Sequence, residues 1–450
     1  MDQTALFDSG SSEGCGRVEQ TETSRLGRRR LRQAVRNQVT LQECSLDELL
    51  PAEHEARIVW EYVSGMDVSE LKAKIQAVEG GPGQAPPDPR ILLGLWLYAT
   101  LRGVGSAREL NRLCESHAAY RWICGAVTMN YHTLSDFRTE HVDLLDRMLS
   151  ESVASLMAEG LVTLERVAQD GVKVRASAGA GSFRRQPTLE EALAEAEEQV
   201  ACLRKELETD PGASKTRRAA ARERAAAERV ERIRAALSQL PEIAKRKKAK
   251  EREKARASTT DADARVMKMG DGGYRPAFNV QLATATDSQV ITGVEVTNVG
   301  SDQGQLAPMV EQHQERYEET PKEVLADGGF VKKSDIDEIS PPRGGTTVYA
   351  PVMKSKDPER DAHTPCEDDS PAVAEWRQRM GREEAKAIYR ERASTAECVN
   401  AQVRNRGLRQ FLVRGLRKVK AVVLWYALAH NLKRAFALRG AASQMAACSG

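Results

Sequence analysis

Apolar residues with helical spacing occupy the chain from Ser45 to about residue 160. The segments SLDELLPAEHEARIVWEYVSGMD, RILLGLWLYATLRG, SARELNRLCES and HAAYRWICGA share this spacing, and the stretch GGPGQAPPDP separates the first from the others. Such spacing is typical of amphipathic helices. Residues 45–160 are therefore predicted to form an all-α domain of short helices. This arrangement resembles a helix-turn-helix DNA-binding domain, and it is also found in plain helical bundles.

The period of the apolar residues changes to two at Leu161. In LVTLERVAQDGVKVRAS apolar and polar side chains alternate, which predicts a β-strand with one apolar face. Asp170 lies on that apolar face, between Ala168 and Val172. An unpaired carboxylate is costly in such a position. Asp170 is therefore the first candidate for a functional residue.

A highly charged stretch follows this strand. Residues 188–210 are mostly acidic, residues 215–256 are rich in Lys and Arg, and Asp210-Pro211-Gly212 separates the two. The pattern predicts a helical insertion over residues 183–258, folded as an antiparallel hairpin with too few apolar residues for a core. Dimerisation and contact with a DNA backbone are both open as its role.

Strand patterning resumes with PAFNVQLATATDS and QVITGVEVTNVGSD, and then alternates with helices up to a late helix from about Glu383. Without the insertion, three strands are followed by strands alternating with helices, which is the element order of a ribonuclease-H-like domain. The predicted fold class is α/β (α+β), with a catalytic domain over residues 161–434 after the all-α domain. Residues 1–44 are predicted to be a disordered basic tail, and residues 435–450 a flexible C-terminal tail.

Two further acids stand in informative positions. Asp327 follows Val324-Leu325-Ala326 and precedes two glycines, so it is predicted at the carboxyl end of a strand, where open α/β sheets bind ligands. An α-helix turns by about 100° per residue, so the position of each residue around the late helix can be calculated. Five residues lie on one side: Tyr389 at zero, Arg392 at about −60°, Asn400 at about +20°, Arg404 at about +60° and Glu397 at about +80°. Two aspartates and a glutamate that converge would suit Mg²⁺ or Mn²⁺. The alternative is that these acids belong to turns and salt bridges.

Composition and charge narrow the class of protein. Lys and Arg number 67 and Asp and Glu 65, for a net charge of +2 over 450 residues. The charge is unevenly distributed, because residues 25–36 and 404–439 are basic. These basic segments could bind a nucleic acid, or they could be solvated faces of helices. The eight cysteines form no CxxC pair, which predicts reduced thiols. The chain has neither a signal-peptide layout nor an apolar stretch long enough for a membrane span, which predicts a cytoplasmic protein without a membrane partner.

Several segments together resemble a known family. They are PPDPRILLGLWLYATLRGVGSARELNRLCES, VAQDGVKVRASAG, EVLADGGF and YRERASTAECVNAQVRNRGLRQFLVRG. In this order they resemble the DDE transposases of bacterial insertion sequences, specifically the group numbered eleven-eighty-two. The resemblance covers about residues 45–434. The chain departs from the family at Arg404, where a lysine is usual, and in a gap between Arg392 and Glu397 that is one residue longer.

The resemblance implies a site and a set of roles. The catalytic acids, which would also be the ligands of two Mg²⁺ or Mn²⁺ ions, are Asp170, Asp327 and Glu397. The residues expected near the phosphate backbone on the late helix are Tyr389, Arg392 and Arg404. On the polar face of the first strand, Lys173 and Arg175 are predicted either to contact DNA phosphates or to form a solvated strand edge.

The implied activity is metal-dependent cleavage and strand transfer of an insertion sequence. The partners would be double-stranded DNA, as terminal inverted repeats and target, and further copies of the chain in a homodimer or higher homo-oligomer. The protein would associate with the bacterial nucleoid. Two alternatives remain: a ribonuclease-H-like nuclease that never joins strands, and a catalytically inactive DNA-binding descendant of a transposase.

Overall fold

The computed structural model describes residues 45–77, 85–209, 217–354 and 360–449. The predicted basic tail of residues 1–44, the basic cluster of residues 25–36 and the predicted turn at Asp210 lie outside these ranges. Within them, no helix combines the length and the hydropathy needed to cross a membrane.

Short helices form the first part of the described chain. They are α1 (Glu55–Ser64), α2 (Ser69–Ala73), α3 (Pro89–Leu101), α4 (Ala107–Ser116), α5 (Ala118–Cys124), α6 (Tyr131–Glu140) and α7 (Val142–Ala158). Helix α3 begins where the Asp88 side chain accepts a hydrogen bond from the backbone of Arg90, with proline in the first turn. It is apolar on all sides, and residues 91–100 are all buried, so it forms the centre of this helical part.

The strands are β1 (Arg166–Arg175), β2 (Phe183–Arg184), β3 (Ala257–Ser258), β4 (Arg265–Lys268), β5 (Tyr274–Ala285), β6 (Ile291–Thr297), β7 (Glu323–Leu325) and β8 (Thr347–Tyr349). The main sheet has the order β4-β5-β1-β7-β8, and β6 also pairs with β5. Strand β5 is antiparallel to β1 and β6, whereas β1, β7 and β8 are parallel to one another. The fold is therefore a mixed α/β fold, as predicted. Strands β2, β3 and β4 were not predicted, since two to four residues are too few for a pattern of alternation.

The charged insertion forms a helical hairpin of α8 (Gln186–Thr209) and α9 (Arg217–Lys245). The helices are antiparallel, with ion pairs from Arg234 to Glu197 (2.7 Å) and from Arg204 to Glu223 (3.8 Å). Strands β2 and β3 pair at its base. A small apolar cluster lies inside the hairpin and its base, formed by Leu189, Ala196, Val230, Ile233, Ala236, Leu240, Ala255 and Ala257. The hairpin therefore has a small core of its own, contrary to the prediction that its apolar residues are too few.

The remaining helices are α10 (Leu306–Tyr317), α11 (Lys333–Ile339), α12 (Pro371–Met380), α13 (Glu383–Arg392), α14 (Cys398–Asn405) and α15 (Leu416–Ser449). A π-helical segment, Ala393–Glu397, joins α13 to α14. Helix α15 continues through residues 435–449, where the sequence predicted a flexible tail. This prediction was wrong because the stretch is rich in alanine, a strong helix former, and Arg439 in it pairs with Glu159 (2.6 Å).

One apolar core connects the N-terminal helices to the sheet through α15. Trp425 on α15 is 1% exposed and donates a hydrogen bond from Nε1 to the carbonyl of Arg138 on α6 (3.0 Å). Farther along α15, the Asn431 side chain exchanges two hydrogen bonds with the backbone of Ile291 on β6 (2.8 and 2.7 Å). The helical part and the sheet therefore share one hydrophobic cluster.

His430 belongs to the same core. It is fully buried, and its Nε2 atom lies 2.8 Å from the carbonyl oxygen of Gln289. Burial lowers the pKa of His430 to about 4. The imidazole is therefore neutral and structural.

Candidate active site

Asp170 and Asp327 each follow, by two residues, the point where the parallel pairing of β1 with β7 ends. Strands β1 and β7 pair in a register that ends at Ala168 opposite Leu325, and continuing it by two residues places Asp170 opposite Asp327. Neighbouring strands are about 4.8 Å apart, and paired residues share a face. The negative charge of Asp327 contributes to the raised pKa of Asp170, which is consistent with this proximity. The two carboxylates therefore lie close together where the parallel pairing of β1 with β7 ends.

Asp170 is held firmly in its pocket. Its Oδ2 atom accepts a hydrogen bond from Asn400 Nδ2 on α14 (2.7 Å), and its Oδ1 atom accepts one from the backbone N–H of Gly171 (3.0 Å). The side chain is 18% exposed, and burial raises its pKa above the usual value, although Arg392 and the two hydrogen bonds oppose this. The carboxylate is oriented and partly desolvated.

The loop after β7 orients Asp327. Its Oδ1 atom accepts a hydrogen bond from the backbone N–H of Gly329 (2.6 Å). A Cβ atom at residue 329 would lie only 2.9 Å from the same oxygen, so a larger residue there would displace the Asp327 carboxylate. Gly329, the second of the two glycines that mark this loop in the sequence, thus has a physical role beside the acid.

The π segment determines where Glu397 lies. Regular helical geometry would separate Arg392 and Glu397 by about 140° around the helix. A π turn instead bonds residue i to residue i+5, so residues five apart come to lie one above the other. Arg392 Nη2 accordingly donates to Glu397 Oε1 (2.7 Å). The π segment thus accommodates the additional residue between Arg392 and Glu397.

Arg392 connects the third acid to the first. Its Nη1 atom lies 3.6 Å from Asp170 Oδ1 while its Nη2 atom binds Glu397. Its guanidinium carbon is 5.9 Å from the centre of the Tyr389 ring. The structure therefore brings together Asp170, Glu397, Arg392, Tyr389 and Asn400.

The donor set fits a hard divalent cation. The three acids supply carboxylate oxygens, and the buried Oδ1 atom of Asn400 has no hydrogen-bond partner. The three carboxylates do not bring one oxygen each within 4.8 Å of the others, and the Arg392 guanidinium lies between those of Asp170 and Glu397. In this arrangement the positive charge of Arg392 compensates the negative charges of Asp170 and Glu397, as a bound cation would.

The other predicted DNA contacts lie away from this cluster. Lys173 lies 3.5 Å from Asp302, on the opposite face of β1, where a Cβ atom at Gly171 would overlap the Asp302 carboxylate. The side chain of Arg175 is exposed at the end of β1, and that of Arg404 is exposed on α14. None of these three joins the acids.

Two segments of the chain match known protein families. Residues 44–140 match the family described as "Transposase domain (DUF772)", and residues 353–436 match the family described as "Transposase DDE domain". Together the two matches indicate a DDE transposase of an insertion sequence. No curated protein and no solved structure matches it significantly.

The two matched segments meet in the transposase core. The first contains α1 and α3–α6, and the second contains Glu397, the π segment and most of α15. Trp425 and Arg138, which share a hydrogen bond, come from different matched segments. Asp170 and Asp327 lie between the two, outside both matches, so their assignment rests on the strand geometry.

Another acid of the transposase, Glu391, has a structural role. Arg166 Nη1 donates to Glu391 Oε1 and Arg166 Nε donates to Glu323 Oε2, both at 2.6 Å. Arg166 is the first residue of β1 and lies four residues before Asp170. Glu391 is thus held away from the candidate site.

A second acidic cluster in the transposase is already balanced by cations. One ligand atom each from Cys366, Asp368 and Asp369 lies within 4.8 Å of the others. Asp369 pairs with Lys333 (2.8 Å) and Arg377 (2.6 Å), and its pKa is lowered to about 2: burial opposes the shift, but the hydrogen bonds and charge of these cations outweigh it. This cluster is an ion-pair network of the fold.

Sequence reasoning overlooked several residues at and near the site. Asn400 was placed on the polar side of the late helix, but its bond to Asp170 was not foreseen. The arginines at the base of the helical hairpin, Arg184, Arg232 and Arg414, were overlooked, because they are far apart in the sequence and no local pattern joins them.

Proposed function

We propose that the transposase binds the terminal inverted repeats of an insertion sequence and catalyses metal-dependent strand cleavage and strand transfer. The observation that carries this proposal is the parallel pairing of β1 with β7, which ends two residues before Asp170 and Asp327, together with the link from Glu397 to Asp170 through Arg392. The strand order β6-β5-β1-β7-β8 supports a ribonuclease-H-like catalytic domain, since three antiparallel strands precede two parallel ones. The two matched families fit the group numbered eleven-eighty-two.

Asp170, Asp327 and Glu397 would hold Mg²⁺ or Mn²⁺, most simply two ions. Such ions activate a water or 3′ hydroxyl and stabilise the departing 3′ oxygen in phosphodiester chemistry. Asn400 and the Gly171 amide fix the orientation of Asp170, and the Gly329 amide fixes that of Asp327. Arg392 and Tyr389 lie beside the acids, where they would contact the phosphate backbone.

Strand transfer also implies an assembly. Two element ends must be joined to one target, so at least two copies of the chain would act together. The exposed Arg404 and Arg175 side chains would contact DNA farther from the reacting phosphate. A nuclease without strand transfer and an inactive DNA-binding descendant remain the alternatives, and the intact set of three acids favours an active enzyme.

A plasmid assay distinguishes these functions. A donor plasmid carrying the gene with its flanking genomic DNA is incubated with the full chain, Mg²⁺ and a target plasmid. We expect joined donor–target products that appear only with Mg²⁺ or Mn²⁺ and not with Ca²⁺ alone. Cleavage without joined product would identify a nuclease, and DNA binding without any product would identify an inactive descendant.

A further inference from the structure

The base of the helical hairpin contains a cleft of about 450 Å³ lined by four arginines. Its lining residues are Arg184, Thr188, Ala192, Arg229, Arg232, Ile233, Thr259, Thr260 and Arg414. None of them is acidic, and three threonine hydroxyl groups lie among the guanidinium groups. Arginines and hydroxyl groups are the side chains that bind phosphate oxygens in protein–DNA complexes.

The two arginines on the sheet side of this arginine cleft are free to bind an anion. Among the residues that the structure describes, no carboxylate lies within 4.0 Å of Arg184 or Arg414. On the hairpin side, Arg229 and Arg232 each lie 3.9 Å from a glutamate, Glu195 and Glu228 respectively. Those glutamates are 73% and 72% exposed, so the pairs are weak and easily replaced.

The backbone around the arginine cleft is fixed by hydrogen bonds. Gly415 and Leu416 donate their N–H groups to Asp261 (3.2 Å) and Asp263 (2.9 Å), which holds the loop of Arg414 against the loop after β3. Arg184 is fixed by the pairing of β2 with β3. The backbone that carries Arg184 and Arg414 is therefore fixed, which lowers the entropic cost of binding an anion there.

The arginine cleft lies close enough to the acids to contact the same DNA. Strand β1 runs from Asp170 to Arg175, which is about 16 Å, and Arg175 pairs with the segment around Gln410. Four residues more along the chain lead to Arg414, so the path from Asp170 is no more than about 35 Å. That distance corresponds to about ten base pairs of duplex.

We infer that the arginine cleft binds phosphate groups of the DNA backbone within about ten base pairs of the acids. This inference rests on the proposed function, and it assigns the helical hairpin to DNA contact rather than to dimerisation. The site is independent of sequence, because guanidinium contacts to phosphates position a duplex without reading its bases.

The salt dependence of DNA binding tests this inference. Affinity of the full chain for a fluorescein-labelled duplex of arbitrary sequence is measured by anisotropy across a series of salt concentrations. The double variant Arg184→Gln/Arg414→Gln should flatten the slope of log affinity against log salt by about 1.8, since each phosphate contact contributes about 0.9. The charge-preserving variant Arg184→Lys/Arg414→Lys should keep the wild-type slope.

Matched controls separate the arginine cleft from general surface charge. The double variant Arg222→Gln/Arg343→Gln removes two exposed arginines outside the cleft and should leave the slope within about 0.5 of the wild type. A wild-type salt slope in Arg184→Gln/Arg414→Gln would overturn the inference. If light scattering showed that the same variant no longer forms a dimer, the base of the hairpin would be assigned to dimerisation instead. A wild-type chain that bound no duplex at all would instead contradict the proposed function.

Discussion

Replacement of Asp170 or Asp327 with asparagine should abolish Mg²⁺-dependent nicking of DNA that carries an element end. Each change keeps the shape of the side chain but removes the anionic oxygen that a hard cation requires. The loss should reach at least about 10³-fold, as expected for members of one catalytic unit, and the double variant should be no slower than the slower single variant. The measurement is the initial nicking rate on a supercoiled plasmid.

The control for this experiment should be an exposed acid outside the site. Glu311 on α10 meets this condition, and Glu311→Gln should nick at the parental rate. Asp302 is unsuitable, because it accepts hydrogen bonds from Asn279 (2.7 Å) and Gln281 (2.8 Å) directly behind β1. Nicking by Asp327→Asn at the parental rate would show that the pairing of Asp170 with Asp327 has no catalytic meaning.

Replacement of Trp425 with alanine should lower the free energy of unfolding by about 3–5 kcal/mol. The change leaves a large cavity in the core and removes the hydrogen-bond donor for the carbonyl of Arg138. Because α15 joins the N-terminal helices to the sheet, the whole molecule should be destabilised. Urea unfolding followed by circular dichroism measures the effect.

A matched surface change gives the reference. Leu412 is 61% exposed, and Leu412→Ala should alter the free energy of unfolding by less than about 0.5 kcal/mol. If the N-terminal helices formed an independent domain, Trp425→Ala would split the transition and leave one phase at its original midpoint. That outcome would contradict the shared core.

The sequence predicted the elements that rest on local patterns. The change of apolar period at Leu161 marked β1, and the position of Asp170 on its apolar face marked a residue that needed a partner. The glycines after Asp327 marked the loop that now orients it. Patterns of this kind are local, so one sequence is enough to detect them.

Features that depend on distant contacts were not predictable. A constant angle of about 100° per residue could not foresee the π segment, so the contact between Arg392 and Glu397 was missed. Lys173 was expected either near DNA phosphates or on a solvated strand edge. It lies against Asp302, because the sequence does not tell what covers the second face of β1. The ion pair of Arg439 on α15 with Glu159, far away in the chain, was not predictable either.

A comparison of Glu397→Gln with Glu391→Gln tests the central claim most directly. Both changes remove one negative charge from the same stretch of chain. Glu397 is linked to Asp170 through Arg392, whereas Glu391 pairs with Arg166 at the start of β1. The measurement is the Mg²⁺-dependent nicking rate of each variant on the same plasmid. We predict that Glu397→Gln loses nicking while Glu391→Gln keeps it. The reverse result would move the third acid to Glu391 and contradict the site described for this transposase.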